Sequence, residues 1–214
     1  MTLPPTTNFF PLQPKDTPTR KERADATENR ERVLAAARQL FAAHGVETVS
    51  MSDIVDLAGV GKGTLYRRFS NKGELCLTLL NEAFQQFQDE AMKRMREQTA
   101  QGMNYLTQLS DFLAELVLFV AEHLPLLQEA QAGAVKEAAE RMNRPHFWQY
   151  LTIRGLLQQA LKAGEIAPDI DPYVQASLLL APLQANYLQF QLSMGISAEQ
   201  VALNLQRLAF GLRA

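Results

Sequence analysis

The sequence predicts an all-α protein. Apolar residues recur at helical spacing along nearly all of residues 27–214, and Gly and Pro divide the chain into segments of helix length. We find no sustained alternation of apolar and polar residues and no hairpin dipeptide, the two signals of strands. The 214 residues are 47% apolar and 21% charged, as in an ordinary globular protein with a sizeable core, which excludes a wholly disordered chain.

Residues 1–26 are predicted to form a flexible tail. They hold five of the ten prolines and show no periodic apolar face that a core could bury. The first helix should follow, because Val33, Ala37, Leu40 and Phe41 share one helix face. Gly45 is predicted to end it.

Two short helices are predicted next, joined by a glycine turn. Ser50 and Asp53 form a capping box that starts the first of them. Gly59 can adopt the left-handed conformation that a sharp turn needs. The second helix, at about residues 62–69, is anchored by Leu65 and Phe69. Together they form a helix-turn-helix, in which the second helix enters the major groove of DNA.

The side chains left outside this small core suit DNA. Lys62, Arg67 and Arg68 can neutralise phosphates, and the hydroxyls of Thr64 and Tyr66 can bind phosphates or bases. Gly63 allows close approach, and Lys72 sits at the start of the following helix, where free N–H groups favour an anion. The candidate DNA-binding residues are therefore Ser50, Ser52, Lys62, Gly63, Thr64, Tyr66, Arg67, Arg68 and Lys72.

The rest of the chain continues as helices. Apolar stripes predict helices near residues 80–95 and 109–120, and a helix over 151–161 that Pro145 could open. Asp171-Pro172 is a strong helix start; the helix should run to about Met194 with a kink at Pro182. The last helix should begin at a capping box formed by Ser197 and Gln200.

Charge and cysteine content place limits on function. The first 75 residues hold 11 basic and 9 acidic residues, a net charge of +2, and the remaining residues hold 10 and 14, a net charge of −4. An anion-binding surface is therefore expected in the N-terminal part. The lone Cys76 excludes an intramolecular disulfide and a multi-cysteine zinc site; it is either a redox switch or, as its type favours, a buried structural residue. With no signal peptide or membrane span apparent, a cytoplasmic location is expected.

The stretch AGVGKGTLYRRFSNKGEL resembles the DNA-binding signature of TetR-type transcriptional regulators. The close resemblance covers residues 28–76, and two positions depart from the usual pattern. Gly61 stands where Ser or Thr is common, so the side-chain cap of the second helix is missing. Arg68 stands where Tyr or His is common, which should strengthen phosphate binding. The matching residues are Ala58, Gly59, Val60, Gly63, Leu65, Tyr66, Phe69, Lys72 and Leu75.

The resemblance implies a homodimeric repressor that binds a palindromic operator and is released from it by a small-molecule effector. It implies a DNA-binding domain at residues 27–75, with the motif at about 50–69, and a helical effector-binding and dimerisation domain at residues 76–214. An activator on the same scaffold is the alternative. A helical enzyme is disfavoured, because no phosphate loop, nucleophile elbow or metal-ligand cluster is present, and no cofactor or metal is expected.

Residues of the C-terminal part are candidates for the effector pocket and the dimer interface. Tyr105, Phe119, His123 and Trp148 are the pocket candidates, with plain core as the alternative; all but Phe119 carry a polar group in apolar surroundings. The resemblance places the dimer seam on helices at about 145–163 and 172–194, with pure core as the alternative. Its candidate residues are Leu156, Leu179, Leu183 and Tyr187.

Overall fold

The fold is given by a computed structural model that describes the backbone of residues 20–132 and 136–213 and the side chains of residues 25–132 and 148–213. Within these ranges the chain forms α-helices joined by short turns, with one isolated bridge between Ile166 and Arg213 and no strand. The all-α prediction is confirmed. The helices are α1 (Arg20–His44), α2 (Met51–Ala58), α3 (Lys62–Arg68), α4 (Lys72–Ala100), α5 (Tyr105–Glu122), α6 (Leu124–Ala132), α7 (Lys136–Lys162), α8 (Pro172–Leu180), α9 (Ala185–Ser193) and α10 (Ala198–Phe210). No helix in the described ranges is long and apolar enough to cross a membrane.

Helix α1 begins at Arg20, inside the segment predicted as a tail. Residues 20–26 read RKERADA, which are mostly residues of high helix propensity. The tail was predicted because this segment has no apolar face. A segment without an apolar face cannot pack on a core, but it can still extend a helix that does. Residues 1–19 of the predicted tail lie outside the described residues.

The predicted caps are confirmed. The Ser50 and Ser197 side chains each form a full capping box, with Asp53 and Gln200 respectively. The Asp171 carboxylate accepts from the backbone N–H of Tyr173 at 2.8 Å at the start of α8. These local signals were readable from sequence because a cap involves residues only two or three positions apart.

Two predictions about proline were wrong. Pro145 lies inside α7 rather than opening it, so the helix continues across the hydrogen bond that proline cannot donate. Pro182 does more than kink its helix: α8 ends at Leu180, a single 3-10 turn covers Ala181–Leu183, and α9 starts afresh. Whether a helix bends, ends or continues at a proline depends on the packing around that proline, which the sequence does not show.

The buried residues form two main clusters, and α4 takes part in both. The N-terminal cluster joins α1, α2 and α3 to the first two turns of α4, through Leu75 and Leu79. The C-terminal cluster begins at Leu80 of the same helix. There α10 packs along α5, α7 packs against α5 and α8, and α6 packs against α4. Helix α4 therefore connects the two cores rigidly, and the predicted boundary at residue 75 falls within it.

Candidate functional site

The helix-turn-helix presents one face of α3 to solvent. Leu65 is fully buried in the N-terminal core, and Phe69, which caps α3, is nearly so. The remaining positions point outward: Lys62, Gly63, Arg67 and Arg68 are exposed, Tyr66 is 50% exposed, and Thr64 is half-buried. A large aromatic side chain held at the surface between cations suits contact with a partner rather than with the core.

The turn that aims α3 is fixed from α1. Gly59 has a φ of +62°, the left-handed conformation that glycine adopts without strain. Its carbonyl accepts a hydrogen bond from Arg32 Nη2 at 3.2 Å, and a Cβ at this position would lie 2.9 Å from that nitrogen. Glycine is thus favoured here by the backbone angle, whereas the Arg32 guanidinium, at the end of a flexible side chain, could shift to admit a Cβ.

The free positive charge of this region lies on α3. Within the described part of the chain, Lys62, Arg67 and Arg68 form no ion pair, whereas Arg30 and Arg38 of α1 both pair with Glu82 of α4. Cations without a partner attract phosphates without first breaking a bond. The exposed face of α3 is therefore a candidate anion-binding surface, with three cations within seven residues.

Gly61 precedes α3 and supplies no side-chain cap, as the sequence indicated. Its φ of −69° and ψ of 143° suit any residue, and an added Cβ would meet only Thr64 Oγ1, at 3.8 Å. We expect Gly61→Ser to be more stable than Gly61→Ala by about 1 kcal/mol, because the serine hydroxyl can accept from the first-turn N–H groups and the alanine methyl cannot. Urea unfolding of the two variants measures this difference. Equal midpoints would show that the first turn of α3 needs no cap.

The serines of α2 differ in what they can offer to DNA. The Ser50 hydroxyl donates to Asp53 Oδ2 at 2.7 Å and accepts from the Asp53 backbone N–H at 3.2 Å. The bond from the Ser50 hydroxyl, followed by one from the Ser50 backbone N–H, lowers the pKa of the Asp53 carboxyl. Ser52 is exposed. We therefore retain Ser52 as a candidate contact and revise the role of Ser50, whose hydroxyl hydrogen is bonded to Asp53 in the cap.

The structure assigns Lys72 a different role from the one predicted. Its ammonium group donates to the backbone carbonyls of Val46 at 3.0 Å and Val49 at 3.3 Å, in the loop between α1 and α2. The same nitrogen pairs with Glu129 Oε2 of α6 at 3.2 Å, and both side chains are mostly buried. The ammonium group is thus held inside the protein, so we revise the prediction that it binds a phosphate. Sequence reasoning missed this because Val46 and Glu129 are far from Lys72 along the chain.

Cys76 lies one turn after Lys72 and is fully buried, in a small cluster with Val46 and Ala130. Burial is the main cause that raises its pKa, to about 12, and the nearby Glu129 carboxylate raises it further. The thiolate, which is the reactive form, is therefore scarce at neutral pH. These observations support the structural alternative for Cys76 over the redox switch.

Three of the four predicted pocket residues are linked by aromatic contacts. Phe119 stacks on His123 at a centroid distance of 4.3 Å and on Phe87 at 4.5 Å. Phe87 in turn meets the edge of Trp148 at 6.3 Å, and Phe112 meets it at 5.7 Å. The structure does not bring Tyr105 to this group, because it precedes Phe119 by fourteen residues on α5, about 21 Å along a helix.

His123 also faces a cavity between the two cores. This cavity has a volume of about 630 Å³ and lies between α1, α4 and the α5–α6 junction. Its walls mix apolar side chains such as Phe41 and Leu126 with charged ones such as Arg38 and Glu82. The His123 ring is held by a contact of 2.9 Å between Nδ1 and the Phe119 carbonyl oxygen. His123 therefore stands at the junction of the cores and not at the centre of the C-terminal one.

The predicted interface residues fall into a buried group and an exposed one. Leu156, Leu179 and Leu183 are buried in the core of the protomer, so we no longer assign them to an interface. Tyr187 is exposed, as an interface residue must be. Sequence reasoning missed the other large apolar side chains that α8 and α9 leave exposed. With Tyr187 they form a set that we term the apolar face: Tyr173, Val174, Leu178, Tyr187, Phe190 and Met194.

Comparisons with known proteins agree with this description. Residues 33–79 match the family model described as bacterial regulatory proteins, tetR family. An HTH-type transcriptional regulator of Staphylococcus aureus strain MRSA252 is 29% identical over 170 residues, which cover 79% of this chain and 85% of that protein.

Solved structures share the fold across most of the chain. A TetR/AcrR-family regulator from Thermobifida fusca superposes with a TM-score of 0.65 and 22% identity, over 87% of this chain and 100% of that one. The regulator FadR of Bacillus subtilis, solved with stearoyl-CoA, has a TM-score of 0.65 and 18% identity, over 86% and 99%. With its helix-turn-helix, its exposed cations and these relatives, the chain belongs to the TetR family of DNA-binding transcriptional regulators.

Proposed function

We propose that the protein is a homodimeric repressor that binds a palindromic operator in the cytoplasm and is released from it by a small molecule. The observation that carries the DNA-binding part is the set of unpaired cations on α3, held at the surface by a buried Leu65. In this proposal Ser52, Lys62, Gly63, Thr64, Tyr66, Arg67 and Arg68 contact DNA. Residues up to Leu79 form the DNA-binding unit, because their core ends there.

A second copy of the chain is the partner proposed for the apolar face. Val174 and Leu178 are one turn apart on α8, and Tyr187, Phe190 and Met194 follow at helical spacing along α9. An apolar patch of this kind on two adjacent helices marks an association surface. A twofold dimer uses the same patch on both copies and repeats the DNA-reading helix at two half-sites about one helical turn apart.

An effector is proposed to bind among the aromatic side chains of α4, α5 and α7. Phe87, Phe112, Phe119 and Trp148 lie together there. Phe87 belongs to the part of α4 that continues from the DNA-binding unit. A ligand that moves α4 would therefore move α3 with it. The structure of FadR with stearoyl-CoA shows that a protein of this fold binds a small molecule.

The test begins with selection of DNA fragments from a random pool by the purified protein, followed by gel-shift titrations on the selected site. Arg67→Met is expected to reduce the slope of log K against log salt by about 1.8, since a dimer loses two phosphate contacts at about 0.9 each. Lys93→Met is the matched control, because Lys93 is an exposed cation on the distal part of α4. Equal slopes for the two variants, or selection of no site, would contradict the proposed DNA surface.

A further inference from the structure

Helix α7 carries a buried side-chain amide without a hydrogen-bond partner. Gln149 is 0% exposed, and among the described residues neither its Oε1 nor its Nε2 meets a donor or acceptor. It lies on the helix face of Ile153 and Leu157, which are fully buried in the C-terminal core. A buried amide in apolar surroundings opposes folding unless it is bonded, so a protein that retains one calls for a specific explanation.

Gln108 provides an internal comparison. It is also buried in the C-terminal part of the chain, but its Nε2 donates to the Met103 carbonyl at 2.9 Å and its Oε1 accepts from Thr99 Oγ1 at 3.3 Å. That glutamine has a structural reason to be polar, because it ties the end of α4 to the start of α5. Gln149 has no such partner among the described residues, so bonding within the protein does not account for its polarity.

We propose that Gln149 is the hydrogen-bonding contact for the effector and that the effector is an uncharged, largely apolar molecule. This inference rests on the effector response proposed above and assigns its chemistry. Gln149 shares its helix face with Ile153 and Leu157, which belong to the same core cluster as Phe112, and Phe87 and Trp148 pack against that cluster. An amide can both donate and accept, which suits a carbonyl, hydroxyl or amide group on an otherwise apolar ligand.

A neutral ligand fits the polar side chains that are fully buried. Among the residues whose side chains are described, these are Gln108, Ser110 and Gln149, and none carries a charge. Arg154 on α7 has a buried Nε without a hydrogen-bond partner, but its guanidinium lies over the rings of Tyr150 and Tyr173. A charged ligand enclosed there would lose its hydration without gaining a countercharge. Because the Gln149 amide is enclosed, ligand entry must shift the neighbouring rings, and Trp148, the single tryptophan of the chain, reports that shift.

Two fluorescent probes with the same rings separate the charge classes. N-phenyl-1-naphthylamine is neutral and has one N–H donor, and 8-anilino-1-naphthalenesulfonate adds a sulfonate to it. We expect the neutral probe to bind and to accept energy from Trp148, and the anionic probe to bind at least about tenfold more weakly. Gln149→Leu should weaken the neutral probe about tenfold, the loss expected when one buried hydrogen bond is removed. Equal binding of the two probes, or an unchanged affinity in Gln149→Leu, would overturn the proposal.

Thermal unfolding gives an independent readout. Gln149→Leu should raise the Tm by a few degrees, because it removes an amide that has no partner, and Gln108→Leu should lower it, because it leaves two groups unpaired. A lowered Tm for Gln149→Leu would mean that the amide is structural and would overturn the inference.

Operator binding distinguishes the proposed role of Gln149 from the proposed release of DNA by an effector. A probe that binds through Gln149 without weakening operator binding counts against effector release alone. Release by a compound that is equally effective on Gln149→Leu counts against the role of Gln149 alone.

Discussion

Replacing Leu178 by aspartate is expected to convert the dimer into monomers and to weaken operator binding by at least about 100-fold. Leu178 belongs to the apolar face, lies on α8 and is 60% exposed, so the substitution should leave the fold of the protomer intact. In a twofold contact each substitution buries two carboxylates against apolar surface, without a countercharge. A monomer then binds one half-site without the high effective concentration that the linked second half-site provides.

Sedimentation equilibrium measures the oligomeric state, and a gel shift on the selected operator measures affinity. Leu118→Asp is the matched control, because Leu118 is a leucine on α5 that is 43% exposed and lies outside the apolar face. Phe190→Asp, on α9, should behave like Leu178→Asp. A dimer that persists in both apolar-face variants would place the interface elsewhere and refute the proposed surface. Circular dichroism checks that each variant remains helical.

Lys72→Met is expected to lower the free energy of unfolding by about 2 kcal/mol, because hydrogen bonds to a charged group are worth about 1.5–3 kcal/mol and the Val46 and Val49 carbonyls and Glu129 lose their donor. Methionine keeps the aliphatic stem, so the loss reports the ammonium group. Operator affinity should fall about tenfold, because the loop before α2 and helix α6 are no longer tied to the start of α4. The salt slope of DNA binding should stay unchanged, since no phosphate contact is removed.

The matched comparison is Lys62→Met on the exposed face of α3. It should reduce the salt slope and leave the free energy of unfolding almost unchanged. Glu129→Gln should weaken the protein less than Lys72→Met, because the two carbonyls keep their donor. If Lys72→Met instead reduces the salt slope at constant stability, the ammonium group binds DNA in the complex, as the sequence first suggested. Urea titrations and gel shifts at several salt concentrations decide between these roles.

Much of the DNA-binding unit could be predicted because its signals are local. The capping box of Ser50, the left-handed Gly59 and the missing cap at Gly61 each involve residues within four positions of one another. The same spacing fixes which side of α3 carries Leu65 and which side carries Arg67. The contacts of the Lys72 ammonium group could not be predicted, because its partners, Val46 and Glu129, are 26 and 57 positions away.

The C-terminal part was harder for a different reason. Helix α8 is apolar on nearly all sides, so its sequence does not show which side packs in the protomer core and which side stays exposed. The structure turns Leu179 into the protomer core and Leu178 out of it, although they are neighbours in sequence. Gln149 was likewise indistinguishable from the many exposed glutamines, because only packing shows that it is enclosed and unbonded.

The sequence by itself determined the all-α class, the helix starts and the residues on the exposed face of α3, since these depend on helix periodicity and on contacts within a few positions. Tertiary structure alone decided which leucines are core and which are exposed, and that the Lys72 ammonium group lies inside the protein. It also decided that the Gln149 amide is buried without a hydrogen-bond partner among the described residues. The physical reason is that a helix repeats every 3.6 residues and so defines its own faces, whereas the identity of what each face meets depends on segments far away along the chain.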